Sequence, residues 1–334
     1  MLLLDRACFR QLKRVAGVVI ELDEHRVELT AYCYRMLGSG FEAEDAVQET
    51  LVRAWRHRER FDAGRSGLRS WLYAIATNVC FDMLRSPQRR ARAMDLVPAA
   101  RPGSALGQPL PEHTWVQPVP DSRILPPQGD PAELAVLRES VRLAFVAALQ
   151  HLPPRQRAVL ILRDVLRWRA DEVAALLKSS TASANSALQR ARATLGRVDL
   201  DATGGFDPLD ERQRDLLDRY VAAFERHDIE TLVAVLHEDA TMSMPPFTWW
   251  LSGRDDISAV LRVPGQPCEH DRLLPTMANG CPAFGQYRDG TGFALVVLEL
   301  RGERIANTTT FLDAPRLFPL FGLPMSFPEP ARTT

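Results

Sequence analysis

Residues Leu152 to Leu195 hold the densest chemistry in the chain. They read LPPRQRAVLILRDVLRWRADEVAALLKSSTASANSALQRARATL. The spacing predicts two helices around a short polar break, Lys178-Ser179-Ser180. Ala174 and Leu177 form an apolar edge before the break, and Ala184, Ala187, Leu188, Ala191 and Leu195 continue it at helical spacing. The opposite face of the second helix presents Thr181, Ala182, Ser183, Asn185, Ser186, Gln189, Arg190 and Arg192. Short polar groups lie toward its N-terminal end and guanidinium groups toward its C-terminal end. A helix entering a DNA major groove needs that distribution: small groups near base edges, and cations for phosphate or guanine. The plainer alternative is a surface helix with a solvated arginine face.

Two further groups have chemistry in their spacing. Asp45, Gln48 and Glu49 stand at i, i+3 and i+4, so they share a helix face opposite Ala46, Val47 and Leu51. An acidic-polar strip beside a core can dock on a basic partner. It can equally be an ordinary solvated face, and spacing alone leaves both open. Further along, Trp71 and Tyr73 stand among Arg65, Arg69, Asn78 and Arg85. Catching unstacked bases takes aromatic faces, and holding their phosphates takes arginine. Trp71 as a cap on the domain core is the plainer reading.

These groups need helices to hold them. Residues 1–24 are weakly patterned and read as an N-terminal extension. Residues 25–92 read as three helices. Leu29, Tyr32, Cys33, Met36 and Leu37 stripe the first, which Gly38 closes. Ala46, Val47, Thr50, Leu51, Ala54 and Trp55 stripe the second; Leu72, Ile75, Ala76, Val79 and Met83 stripe the third, which Pro87 stops. Residues 93–131 read as a linker, because prolines such as Pro98, Pro102, Pro111, Pro118 and Pro126 interrupt regular structure. Residues 132–197 return to helix, beginning with the stripe Leu134, Leu137, Val141, Phe145 and Leu149. Residues 198–210 form a second break. From 211 to 325 the pattern is α+β: helices first, then period two through Ala240, Met242 and Met244. Asn279-Gly280 and Asp289-Gly290 signal hairpins, and Phe293–Leu300 and Arg304–Leu312 read as strands of an antiparallel sheet.

Composition sets the outer limits. A chain of 334 residues with 46% hydrophobic residues holds two or three domains with real cores. Its formal net charge of −1 hides segregation: arginines crowd residues 53–92 and 155–197, and acids gather in 199–239. Five cysteines, Cys8, Cys33, Cys80, Cys268 and Cys281, form no CxxC pair, so neither a zinc site nor a disulfide framework follows. Cys33 and Cys80 fall on apolar faces and are expected as buried free thiols. The run Met1–Leu4 breaks at Asp5-Arg6, too short for a signal-peptide core, and no apolar run reaches membrane-spanning length. A cytoplasmic location is expected, with no membrane, metal or cofactor.

Three strings occur in order: AYCYRMLGSGFEAEDAVQETLVRAWR, SWLYAIATNVCFDMLR and LPPRQRAVLILRDVL. With them, residues 25–92 and 132–197 resemble the extracytoplasmic-function (group IV) sigma factors of bacterial RNA polymerase, in the sigma-70 family. The resemblance implies a multi-domain chain: two all-α sigma domains, the second with the helix-turn-helix, joined by the Pro-rich linker. It implies that Asp45, Gln48 and Glu49 meet the β′ clamp helices of the core polymerase, and that the β flap is a further partner surface. Phe61–Gly67 and the helix Ser70–Arg85 would handle the −10 promoter element through Arg65, Arg69, Trp71, Asn78 and Arg85. The helix Thr181–Leu195 would read the −35 element. The chain departs from the family at Lys178, where glycine is common. A left-handed turn there would cost lysine about 1 kcal/mol, so either a rearranged turn or a phosphate contact from Lys178 is expected. Ala184 is also smaller than the usual β-branched residue.

The strings ESVRLAFVAALQHL, RYVAAFERHDIETLV and FPLFGLP resemble the sigma-G type subset, in which a SnoaL-like, NTF2-type cone domain follows the sigma domains. A cone of this kind encloses a pocket at its open end. Met242, Met244, Trp249, Trp250, Phe284, Tyr287 and Phe293 are the candidates to line it, with a small ligand as the expected occupant, although such a stripe is more often core. His237, Asp239 and His270 are the available acid-base groups, yet form no constellation: Asp239 reads as a helix end and His270 as solvated. No catalytic residue is therefore assigned. The resemblance implies a fused regulatory domain; the alternative is a DNA-binding regulator with a ligand-sensing or cyclase/isomerase-like pocket.

Overall fold

The computed structural model describes residues 22–62, 67–85, 90–196, 206–263 and 270–328. In chain order these form α1 (Arg26–Leu37), α2 (Gly40–Arg56), α3 (Leu68–Met83), α4 (Ala93–Leu96), α5 (Asp121–Ile124), α6 (Pro131–Glu139), α7 (Leu143–Leu149) and α8 (Pro154–Leu160). Then follow α9 (Ala170–Leu176), α10 (Thr181–Leu195), α11 (Glu211–Glu225), α12 (Ile229–Ala234), β1 (Leu236–Ser243), β2 (Trp250–Ser252), α13 (Arg254–Leu261), β3 (Arg272–Ala278), β4 (Cys281–Arg288), β5 (Thr291–Arg301), β6 (Arg304–Phe311) and α14 (Ala314–Phe321). Two compact units interleave along this order. One comprises Met1–Pro87, Ser122–Asp130 and Leu149–Gly196; the other comprises Gln88–Asp121, Pro131–Ala148 and Arg197–Thr334. No helix among the described residues is long and apolar enough to cross a membrane.

Among the described residues, the first unit is all-helical. The stripe Leu29, Tyr32, Cys33, Met36 and Leu37 is fully buried. Gly38 ends α1 in the left-handed region at φ 73°, its N–H bonded to Tyr34 O. Ser39 caps α2, its Oγ accepting from Glu42 N. Helix α10 packs on α8 and on α9, while α8 also packs on α1 and α9 on α3. Arg157 ties this together. Its guanidinium donates to Met36 O, Gln150 Oε1, Gln150 O and Leu152 O, and burial lowers its pKa to about 10. Cys33 and Cys80 are buried free thiols, as their helix positions led us to expect. Trp55 and Met83 depart from their predicted stripes and lie exposed.

The second unit is built on a six-stranded sheet in the order β2-β1-β6-β5-β4-β3. It is not wholly antiparallel: β1 and β6 pair in parallel. Leu216, Tyr220 and Ala223 of α11, Leu232 of α12 and Ile257 of α13 join a cluster with Phe284, Val296, Leu298 and Ile305 of the sheet. Tyr287 instead packs on Phe318 of α14 and on Phe327, with ring centroids 5.2 and 5.1 Å apart. A Cβ on Gly292 would come within 2.6 Å of the Phe318 ring, so this close approach requires glycine.

Residues 93–131 are more than a tether. Trp115, Val116 and Val119 are buried, and Ala91 bridges Trp115 while Pro120 bridges Ala278. Trp250 Nε1 donates to Val97 O at 2.9 Å. Proline did exclude long elements here, but buried apolar side chains and main-chain bonds to the sheet still order the segment. The stripe expected to form one helix from Leu134 to Leu149 breaks at Ser140–Arg142 into α6 and α7. Arg142 is buried there, 3.7 Å from Glu299, whose other oxygen accepts from Asn307 Nδ2.

The β3–β4 turn gathers these segments. Asn279 and Gly280 both take positive φ, 58° and 71°, as a tight Asn-Gly hairpin requires. Asn279 Oδ1 accepts from Val119 N at 3.0 Å, and its Nδ2 donates to Val141 O at 2.7 Å. Gly280 N donates to Asp121 Oδ1 at 2.8 Å; burial nonetheless pushes the Asp121 carboxyl up to about 6. Truncating Asn279 leaves buried main-chain groups unpaired, at ~1–3 kcal/mol each. Asn279→Ala is therefore expected to abolish hydrogen-exchange protection at Val119 while the β4–β5 amides stay protected.

Candidate nucleic-acid interface

The helix-turn-helix forms from α9 and α10. Ser180 caps α10 by accepting from Ser183 N at 3.1 Å. Lys178 takes φ 49°, so the turn keeps the left-handed conformation that glycine would adopt freely, and lysine bears the strain. Ala184, Ala187, Leu188, Ala191 and Leu195 are buried. Thr181, Ala182, Ser183, Asn185, Ser186, Gln189, Arg190 and Arg192 are all exposed. The small Ala184 is buried without disturbing α10. Arg192 is held by Asp164 through two bonds of 2.8 and 2.7 Å, an ion pair that raises its pKa.

On α2, Asp45 and Gln48 are exposed, while Glu49 is half-buried and accepts from Arg53 Nε at 2.6 Å. Arg53 also reaches Asp82 on α3 at 3.4 Å. Val52 and Trp55 continue the face of Asp45 and Gln48 by one and two turns and are 41% and 42% exposed. The Arg58 guanidinium lies 4.8 Å from the Trp55 ring. Sequence reasoning placed Trp55 in the core because its spacing also fits the apolar stripe; its position in register with Asp45 and Gln48 was the available signal.

On α3, Trp71 is half-buried and packs at a tilt on Phe61, with ring centroids 5.2 Å apart, so it is neither a free platform nor a sealed core residue. Tyr73, expected as a second stacking group, is fully buried and donates to Glu28 at 3.2 Å. Trp168 packs on Tyr73 at 5.1 Å, and the Arg69 guanidinium lies over both rings while pairing with Glu28 at 2.7 Å. Asn78 is exposed and bonds Ala74 O of its own helix; Arg85 is exposed and pairs with Asp82. Arg65 lies outside the described residues.

The cone candidates do not converge. Met242, Met244, Trp249 and Phe284 belong to the packed cluster. Trp250 bonds the chain at Val97, Tyr287 packs on α14, and Phe293 lies under the Arg288 guanidinium at 3.7 Å. Asp239 does not end a helix: it lies in β1, exposed, where its N–H donates to His237 Nδ1. His270 is exposed, as its acidic neighbours suggested, whereas Asp271 is buried against Gln286 and Arg288. Relief of the strained turn gives a direct test. Lys178→Gly is expected to stabilise α9 and α10 by ~1 kcal/mol, slowing native-state hydrogen exchange of their amides about fivefold.

Known proteins share this arrangement. Residues 22–90 match sigma-70 region 2, residues 142–195 match sigma-70 region 4, and residues 217–287 match the SnoaL-like domain. The chain is 46% identical over 312 residues to the ECF RNA polymerase sigma factor SigG of Mycobacterium tuberculosis, covering 91% of this chain and 83% of that protein. SigJ of the same organism is 29% identical over 225 residues, covering 67% of this chain and 64% of SigJ. The crystal structure of the M. tuberculosis SigJ sigma factor superposes with a TM-score of 0.54 at 21% identity, covering 88% of this chain and 95% of that one, which places the fold. With both sigma regions and the following domain matched in order, the chain belongs to the extracytoplasmic-function RNA polymerase sigma factors that carry a fused SnoaL-like domain.

Proposed function

We propose a division of the initiation task among the surfaces described. The α2 face bearing Asp45, Gln48 and Glu49, extended by Val52 and Trp55, docks on the β′ clamp helices of core polymerase. Arg65, Arg69, Trp71, Asn78 and Arg85 serve the −10 element. The exposed face of α10 reads the −35 element, with the helix-turn-helix domain against the β flap. The protein acts as a stoichiometric subunit in the cytoplasm, where its polymerase works, and no residue is assigned a catalytic role. One observation carries this reading: all eight side chains expected to face the duplex are exposed on α10, and the residues between them are buried.

The SnoaL-like domain modulates this activity. What supports the idea is that its β3–β4 turn holds residues 119–121 and Val141, which belong to the stretch between the two sigma regions. A domain that grips that stretch governs how far the two DNA-binding modules can separate.

Run-off transcription with purified core polymerase tests the whole reading; no initiation at any promoter in a library would overturn it. Trp55→Ala should weaken core binding about tenfold or more, because a half-exposed Trp rimmed by charge has the character of an interface anchor. Arg190→Ala should lower promoter affinity and reduce the slope of log K against log salt by about 1, while leaving core binding unchanged.

A further inference from the structure

A cavity of about 230 Å³ lies between residues 112–118 and the exit of β6, within the second unit. Its walls include Trp115, Pro245, Phe311 and Leu317, with Glu112 and Asp313 as the carboxylates. It shares no residue with the cluster that fills the cone. Its volume falls below the ~300–1,000 Å³ of sites for drug-sized molecules, so its occupant has a single ring.

The charges in the wall are uneven. Arg316 Nη1 bonds Glu112 and lies 3.5 Å from Asp313 Oδ2. Glu112 also accepts from Gln117 Nε2 at 2.7 Å; burial pushes its carboxyl up, but the bonds from Arg316 and Gln117 outweigh this and hold it low. Arg90 adds to the field on Glu112 while its guanidinium binds the carbonyl oxygens of Glu112 and Trp115. Asp313 moves the other way: burial lifts its carboxyl, and the Glu112 charge adds to that, against Arg316. Arg316 thus binds Glu112 more closely than Asp313, and Asp313 is the carboxylate with room for a second cation. Trp115 is 3% exposed, and its buried indole N–H finds no acceptor among the described residues. A buried indole donor ordinarily has one.

We propose that this cavity binds a small organic ammonium ion with an apolar ring and one hydrogen-bond acceptor. The ammonium pairs with Asp313, the ring packs between Trp115 and Phe311, and the acceptor takes the Trp115 indole N–H. Aromatic walls favour a cation over a neutral group. Residues 112–118 roof the site and belong to the stretch between the sigma regions. An occupant therefore holds that stretch down, a consequence that rests on the regulatory reading above.

The probe is tyramine, titrated into the full-length chain while the indole N–H resonance of Trp115 is followed, assigned by its loss in Trp115→Phe. Saturable movement of that resonance is expected. Binding should weaken about tenfold or more in Asp313→Asn and with para-ethylphenol, which lacks the ammonium, and should vanish with para-hydroxyphenylpropionate, which reverses its charge. Equal binding of all three compounds, tyramine binding unchanged by Asp313→Asn, or no movement at millimolar tyramine would each overturn the site. Tyramine that binds as described but leaves holoenzyme transcription unaltered would uphold the site and refute the regulatory reading instead.

Discussion

A buried side chain that hydrogen-bonds main-chain groups from separate stretches of sequence cannot be left half-paired, because each orphaned group costs ~1–3 kcal/mol. Arg157 does this in the first unit, joining the end of α1 to the chain entering α8 through four acceptors. Asn279 does it in the second, joining Val119 to Val141 across a hairpin turn. The two residues set which segments travel together. Through Arg157 the helices of region 2 and the helix-turn-helix of region 4 share one unit; through Asn279 the segments on either side of residues 122–130 are committed to the SnoaL-like domain.

This arrangement changes what the fused domain is. Helix α7 begins the match to region 4, yet up to Ala148 it belongs with the sheet, anchored by the buried Arg142–Glu299 pair. Burial alone would lower the Arg142 pKa; Glu299, with Cys281 and Glu139, more than offsets it, so the cation is retained inside the domain. Removing one partner of such a pair strands the other charge inside the domain, at a cost of about 3–5 kcal/mol.

Within the first unit, the residues proposed for the −10 element already have internal partners. Arg69 is spread over Tyr73 and Trp168 and paired with Glu28; Arg85 pairs with Asp82; Trp71 leans on Phe61. On α10, Arg192 is paired with Asp164, whereas the small polar residues of its N-terminal half are simply exposed. Cations that bind phosphate exchange one partner for another, so these pairs affect the net gain on binding DNA without precluding it.

Helical periodicity, caps and hairpin dipeptides are local signals, and the residues alone determined what depends on them. That covers the buried stripe of α1, both faces of α10, and the Asn279-Gly280 and Asp289-Gly290 turns. Register along a helix is also local, but whether a residue on it is covered is not: Trp55 fits both the stripe and the exposed face, and only packing left it exposed while burying Tyr73 under Trp168. The parallel pairing of β1 with β6, the break between α6 and α7 and the docking of the proline-rich stretch all needed the tertiary structure. Each depends on partners more than a hundred residues away or on strands whose order no dipeptide encodes, and hydrogen bonds to distant main-chain groups leave no periodic trace in sequence.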